Sequence, residues 1–450
     1  MKTLFHNLKG DKTIWAIVAL LAIVSFLPVY SASSNLAYGA YGSGNTLSYL
    51  IKHLAHVGFG FFIIYVVHRI PYNYFRAISI IGIPIIVLLL LYTLLQGKTI
   101  GGANASRWIQ IPFIGVGFQT STLAFVVLML YVARYLAKIK GKEFTFKSSL
   151  WELWLPVFAV IALILPANFS TAAIMFSMVV MLVFIGGYPL KYLVRILFMG
   201  LIGLTLFVLV AKAFPDAFKN RVTTWENRVE NFINGSENEE EAYQIEKAKI
   251  AIATGGINGL GPGKSVQRNF LPQSSSDFIY AIIVEEYGLF GAFGVILLYL
   301  ILFFRFLRAS IQARNMFGTL VVAGLGFPII FQALVNMGVA VELFPTTGQT
   351  LPLISSGGSS IWMTCLAIGI ILNVTKKEEE IKEEEKEKMQ REKALERLIE
   401  KEIQEEEERK SSPTPPKEGL SESIEKDITE DEKIAVKALK SLSKGGTKYE

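Results

Sequence analysis

Asp277 is the residue whose surroundings point most directly to chemistry. It closes a polar, glycine-rich run, GGINGLGPGKSVQRNFLPQSSSD over 255–277, and directly precedes the apolar stretch FIYAIIV. A carboxylate at the edge of a long apolar segment is costly unless it is solvated or used. At a helix N-terminus it stays ionised, which suits a general base. SSSD before an apolar run is also a good helix start, so a capping role fits the same position. The glycines of 255–263 let backbone approach a ligand, and Lys264 and Arg268 favour an anionic one. The stretch therefore suggests chemistry on an anionic, membrane-borne substrate.

Other residues converge on the same kind of site. Arg107 and Trp108 lie side by side in a glycine-rich connection, where an Arg can bind phosphate while the ring anchors at headgroup depth. PTTGQTLPLISSGGSS over 345–360 combines two prolines with small hydroxyls and glycines. Such irregular backbone is tolerated beside a bilayer only where it faces protein or a water-filled cavity, so this stretch is expected to wall a cavity. Glu285 and Glu286 follow Asp277 by eight and nine residues, about two helical turns deeper, and read as buried packing polars or supports. GLGPGKS at 259–265 imitates a phosphate-binding loop, but Asn258 stands where that motif requires glycine. His6, His53, His56 and His68 form no ligand-spaced set with carboxylates; His53 and His56 read as helix-packing residues. The single Cys365 excludes a disulfide framework and a cysteine metal site within one chain.

The elements that must position these residues are membrane helices. Of 450 residues, 52% are hydrophobic and 18% charged, with a mean hydropathy of +0.43 and the charge concentrated in the last 75 or so. That is the profile of a polytopic membrane protein; nothing points to nucleic acid. Ten segments are long and apolar enough to span a bilayer: 13–31, 48–68, 75–96, 119–138, 150–166, 170–188, 192–213, 277–304, 317–341 and 353–374. The first has no cleavage site and is expected to stay as a span. Lys and Arg cluster in alternate connections, which puts both termini in the cytoplasm. The long connection 214–276 is then external. Its part 217–250 reads as polar helices on the membrane surface, with Val222, Trp225, Val229 and Phe232 at helical spacing. The domain layout is thus 1–375 in the membrane and a charged tail from 376. The tail predicts a solvated helix to about Lys410, a linker SSPTPP at 411–416, and a short helix or disorder over 421–443.

Taken together, GLGPG…Q…LP…DFIYA…EEYG, RW…FQTS..A and NMG…PTTGQTLPLISSGGSS resemble the FtsW/RodA family of cell-wall polymerases, the SEDS proteins. The match runs over 13–375, and PTTG-TLPLIS with Asn336–Gly338 is nearer the division branch than the elongation branch. The resemblance implies an all-α, ten-span peptidoglycan glycosyltransferase of the bacterial cytoplasmic membrane that joins lipid II at its outer face, at the division septum. It implies Asp277 as the base and a substrate site built from Lys52, Arg107, Trp108, Gln119, Ser121, Lys264, Gln267, Ser355, Ser356, Gly357, Gly358 and Ser359. It further implies undecaprenyl pyrophosphate as leaving group and a class B penicillin-binding protein as partner, and leaves open a divalent cation such as Mg2+. A lipid II flippase and a silent division scaffold are the rival expectations. The chain departs from the family pattern at Gln273 and Ser275 (an acid and a histidine), at Thr122 and Phe125 (a Glu and a Lys) and at Asn168 (an Asp).

Overall fold

In hydrocarbon a backbone must satisfy its own hydrogen bonds, and a helix does so within one segment. The long apolar runs of this chain therefore become helices. The computed structural model describes residues 8–38, 45–96, 108–110, 117–213, 228, 230, 239–271, 274–376 and 378–411. In chain order these form α1 (Lys12–Tyr38), α2 (Thr46–Val67), α3 (Tyr74–Gln96), β1 (Trp108–Gln110), β2 (Gly117–Gln119) and α4 (Thr120–Ile139). Then come α5 (Phe146–Ile164), α6 (Phe169–Ile185), α7 (Leu190–Ala213), α8 (Glu239–Gly255), α9 (Ile279–Gln312), α10 (Met316–Ala340), α11 (Gly358–Val374) and α12 (Glu378–Ser411). Among the described residues eight helices are long and apolar enough to cross a membrane; α6 and α11, apolar but 17 residues each, occupy the other two predicted positions.

α10 is the centre of the bundle: 72% of its most apolar window is buried, against 11% for α7. α4, α9 and α11 pack on α10, α2 packs on α11, and α1 on α2 and α9. Gly324 and Gly326 let Leu182 and Phe306 close onto α10, the small-residue packing that membrane bundles favour. In contrast, α7 buries only Leu193, Ile196 and Ala211 and turns its remaining apolar side chains outward, as a lipid-facing helix does.

Local chemistry sets the irregularities. α5 carries a π turn at Leu150–Trp154. Pro156 has no N–H to return to the Glu152 carbonyl, and the Tyr131 hydroxyl donates to that carbonyl instead. At the opposite end of the chain's first helix, Asp11 caps α1 through Thr13 N at 2.8 Å and pairs with Arg305 of α9, tying the N-terminal segment to the bundle.

Two expectations change. The span expected at 277–304 is two helices end to end, broken at Gly288 (φ 62°, ψ −158°). Glu285 and Glu286 therefore end a short buried helix rather than lie deep in a continuous span, and the long apolar helix begins at Leu289. Within the segment expected on the membrane surface, Glu239–Gly255 forms a helix that packs on α9, with Ala248 and Ala251 fully buried. The predicted stripe from Val222 to Phe232 lies outside the described residues. Met1–Thr375 and Lys376–Glu450 are separate compact units; in the second, α12 is a highly charged helix, and 412–450 lie outside the described residues.

Candidate active site

The site is built on a turn. Ser274–Phe278 precede α9, whose N-cap is Phe278 with no side-chain cap, so capping of this helix does not account for Asp277. The three successive carbonyls of the turn are each taken by a donor, two from the segment before α11 and one from α10. Ser356 N donates to Ser275 O at 2.8 Å, Ser355 Oγ to Ser276 O at 2.6 Å and Asn336 Nδ2 to Asp277 O at 2.7 Å. Backbone carbonyls left unpaired in a buried place are costly; satisfying all three fixes the turn and with it the direction of the Asp277 side chain. The clamping segment is irregular, as its composition predicts. Leu353 is buried at φ 65° and Gly348 turns at φ 64°, and the segment is pinned by the Tyr299 hydroxyl on Pro352 O and by Gln332 Nε2 on Thr350 O at 2.8 Å. A left-handed leucine persists only where its surroundings over-determine it.

Asp277 lines a cavity of about 490 Å³ that opens between α4, α6, α10 and α11. A Cβ built on Gly348 would stand 3.5 Å from Asp277 Oδ2, so the carboxylate faces that glycine across a narrow gap. Amides and hydroxyls (Asn168, Gln332, Gln349, Thr171, Thr350, Ser360) and three rings, Tyr49, Trp108 and Phe125, are in its lining. Farther along the helices the lining becomes apolar, at Ile174, Leu325 and Ala367. Among the described residues no Lys or Arg lines it. Such a surface suits a neutral polyol, with ring faces for stacking and amides for hydroxyls.

Of the residues expected from sequence, Asp277, Trp108, Gln119, Ser121, Ser356 and Gly357 line this cavity. Trp108 and Gln119 are register partners in the β1–β2 hairpin, and Gln119 N donates to Ser359 Oγ at 3.3 Å, which joins the hairpin to α11. Ser355 and Ser359 therefore stand behind the wall and hold it. Gly358 is packed on the His56 ring, where a Cβ would come within 2.7 Å. Lys52 is exposed at the rim, its Nζ 5.4 Å from the Tyr49 ring centroid. Arg107 and Gln273 lie outside the described residues. Of the departures from the family pattern, Thr122, Phe125, Asn168 and Ser275 line the cavity; Asn168 also caps α6 through Thr171 N at 3.2 Å.

Lys264 and Gln267 belong elsewhere, and the glycine loop with them. The helix ending at Tyr287 leaves its last carbonyls without helical partners. Leu260 N and Gly261 N donate to Glu285 O and Glu286 O, both at 2.9 Å. The side chains are caught as well. Glu285 accepts from Ser265 Oγ and from Val266 N at 3.0 Å and Gln267 N at 3.2 Å. Glu286 accepts from Ser31 Oγ, which in turn takes a 2.7 Å bond from Arg268 Nη1. Gly255 and Gly259 approach this helix break, and the loop caps the far end of the short helix, about 12 Å along its axis from Asp277. Replacing Glu285 by Leu strips the acceptor from three donors, each costing about 1–3 kcal/mol when left unsatisfied. Glu285→Leu is expected to lower the melting temperature in detergent sharply and to open 256–268 to protease; an unchanged digest excludes the latch.

Gln332, Gln349 and Thr171 line the cavity and Asn336 holds its turn, roles the sequence did not assign them although Gln349 and Asn336 lie within its motifs. Gln332 and Asn336 were detectable: two amides four residues apart on one face of an otherwise apolar helix. Among the described residues no three or more His, Cys, Asp or Glu side chains come together as a metal site.

The family model described as cell cycle protein, for FtsW, RodA and SpoVE, matches residues 11–380. A probable peptidoglycan glycosyltransferase FtsW of Hydrogenovibrio crunogenus is 32% identical over 370 residues, 80% of this chain and 90% of that protein. The stage V sporulation protein E of Bacillus subtilis is 28% identical over 368 residues, 81% and 97% of the two chains. A solved peptidoglycan synthase complex that coordinates polymerization and crosslinking contains a chain of the same fold, with TM-score 0.61 and 24% identity over 81% of this chain and 97% of that one. The rod shape determining protein RodA of Thermus thermophilus aligns with TM-score 0.57 and 22% identity over 81% and 96%.

Proposed function

The chain belongs to the FtsW/RodA/SpoVE family of cell cycle proteins and is a multi-pass membrane protein; from that premise we propose that it is a peptidoglycan glycosyltransferase polymerising lipid II during cell division. The observation that carries this reading is one carboxylate, Asp277, on a clamped turn at the wall of a cavity lined with amides, hydroxyls and three aromatic rings. In the reaction Asp277 takes the proton from the 4-hydroxyl of the acceptor sugar. That oxygen bonds to C1 of the lipid-linked chain's sugar, the C1–O bond to pyrophosphate breaks, and undecaprenyl pyrophosphate leaves with inversion at C1. The cavity's neutral lining fits the sugars. The pyrophosphate then lies at the rim, where Lys52 stands one turn from Tyr49 and where Arg107 adjoins Trp108 in sequence. Arg268 is engaged by Ser31 and Gly263. The described residues supply no metal cluster, so a divalent cation such as Mg2+ would come with the pyrophosphate.

The Lys and Arg bias of the connections supports an active site at the outer face of the bacterial cytoplasmic membrane, and family membership supports the septum as its place of work. The likeness to a synthase complex that couples polymerization to crosslinking supports a class B penicillin-binding protein as partner. A flippase would need a polar path through both leaflets; the apolar deep end of the cavity at Leu325 and Ala367 favours chemistry over transport. The test is glycan synthesis from labelled lipid II by the full-length protein with its co-purified crosslinking partner. Long polymer is expected. An intact complex that moves lipid II between leaflets or does nothing, without polymer, overturns the reading.

A further inference from the structure

Resting on that reading, we infer that Asn336 is the residue that positions the base: one buried amide in α10 sets the spacing between Asp277 and the opposite cavity wall. Asn336 is 1% exposed in the central apolar helix. Both its N–H groups are engaged, at 2.7 Å on Asp277 O and at 2.7 Å on Gln349 O. The opposite amide orientation would turn Oδ1 toward two carbonyl oxygens, so the hydrogen bonds determine which way the group points.

Its placement is a poor choice for packing alone. Oδ1 is buried with no partner, and an amide in an apolar core is unfavourable unless fully bonded. A leucine of similar size would fill the same space without that cost. What the amide does that leucine cannot is hold two cavity-lining segments at one distance. Asp277 and Gln349 come from stretches seventy residues apart in sequence, and Gly348, beside Gln349, is the residue that Asp277 Oδ2 faces. One turn earlier on the same face, Gln332 holds Thr350. The 348–350 wall is therefore fastened to α10 by two amides, and of these two Asn336 is the one that also bonds the Asp277 carbonyl. Ser355 and Ser356 secure the preceding carbonyls of the turn from the 349–357 segment, so Asn336 references the base to the most buried of the candidate spans. Asn336 touches no reacting atom; it acts through the Asp277 backbone.

The experiment compares wild type, Asp277→Asn, Asn336→Leu and Asn336→Ser, each as the full chain with its co-purified crosslinking partner, on labelled lipid II. Melting and complex recovery are measured on the same samples. A misplacement of about 1 Å costs up to roughly a hundredfold in rate. Asn336→Leu is thus expected to lower kcat per folded molecule about ten- to a hundredfold with KM for lipid II held, while the two carbonyls it leaves unpaired lower the melting temperature. Asn336→Ser, whose short hydroxyl cannot span both carbonyls, decides the matter by the same split if the leucine variant does not fold. Unchanged kcat, a rise in KM alone, or activity that falls only in proportion to folded protein overturns the inference while leaving polymerisation by wild type standing. Wild type without polymer removes the polymerase reading, and this inference with it.

Discussion

Asp277→Asn leaves the protein folded and bound to its partner but lowers polymerisation of lipid II by about a hundred- to ten-thousandfold, the range for loss of a general base. The expectation of an intact fold comes from what holds the turn. Its bonds to Asn336, Ser355 and Ser356 run through the carbonyls of residues 275–277, and the α9 N-cap is Phe278. The substitution keeps the shape of the side chain and removes its basicity. Purified wild type and variant, run side by side on labelled lipid II with the partner present, separate the roles. Polymer from both would remove Asp277 from the mechanism. Polymer from wild type alone, with equal melting and equal partner recovery, assigns it the base.

Gly288→Ala is expected to be strongly destabilising. Gly288 has φ 62° and ψ −158°, a region closed to residues with a Cβ. The added carbon would stand 2.3 Å from Ile257 O and 2.5 Å from Gly259 N, both backbone atoms of the loop that caps the break. Neither problem can be relieved by a side chain turning away. The strain alone is about 1–3 kcal/mol; with loss of the loop's bonds to Glu285 O and Glu286 O, the total should exceed about 3 kcal/mol. Gly294→Ala, in the regular part of the same helix with no neighbour within 4 Å of the added carbon, is the control and should be neutral or slightly stabilising. Thermal unfolding in detergent and proteolysis across 256–268 read both. If the two variants melt alike, the break at Gly288 does not organise this end of the molecule.

The sequence alone determined the elements that hydrophobicity dictates. Apolar runs near twenty residues have no alternative to helix in a bilayer, so α1 to α7, α10 and α11 arose close to their predicted positions. The charged run after Lys376 reads as a solvated helix through its i,i+4 pairs, and α12 spans Glu378–Ser411. Asp277 was legible because a carboxylate between a polar loop and an apolar run is rare, and the irregular 345–360 stretch because two prolines and a run of glycines leave a helix no footing.

Only the tertiary structure decided which of these features meet. Gly288 looked like one more glycine in a span, yet it breaks the helix because the loop at 256–261 supplies the N–H groups that make the break affordable. Periodicity along one segment cannot report a donor arriving from another. The same holds for Lys264 and Gln267, whose polar loop looked like a ligand cradle until its N–H groups were found on Glu285. Asn336 lay in plain sight within an apolar helix, but its meaning depends on two carbonyls that the chain brings beside it from 277 and 349. Local pattern sets the helices; the site is set by long-range hydrogen bonds between backbone groups, which carry no signature in residue type.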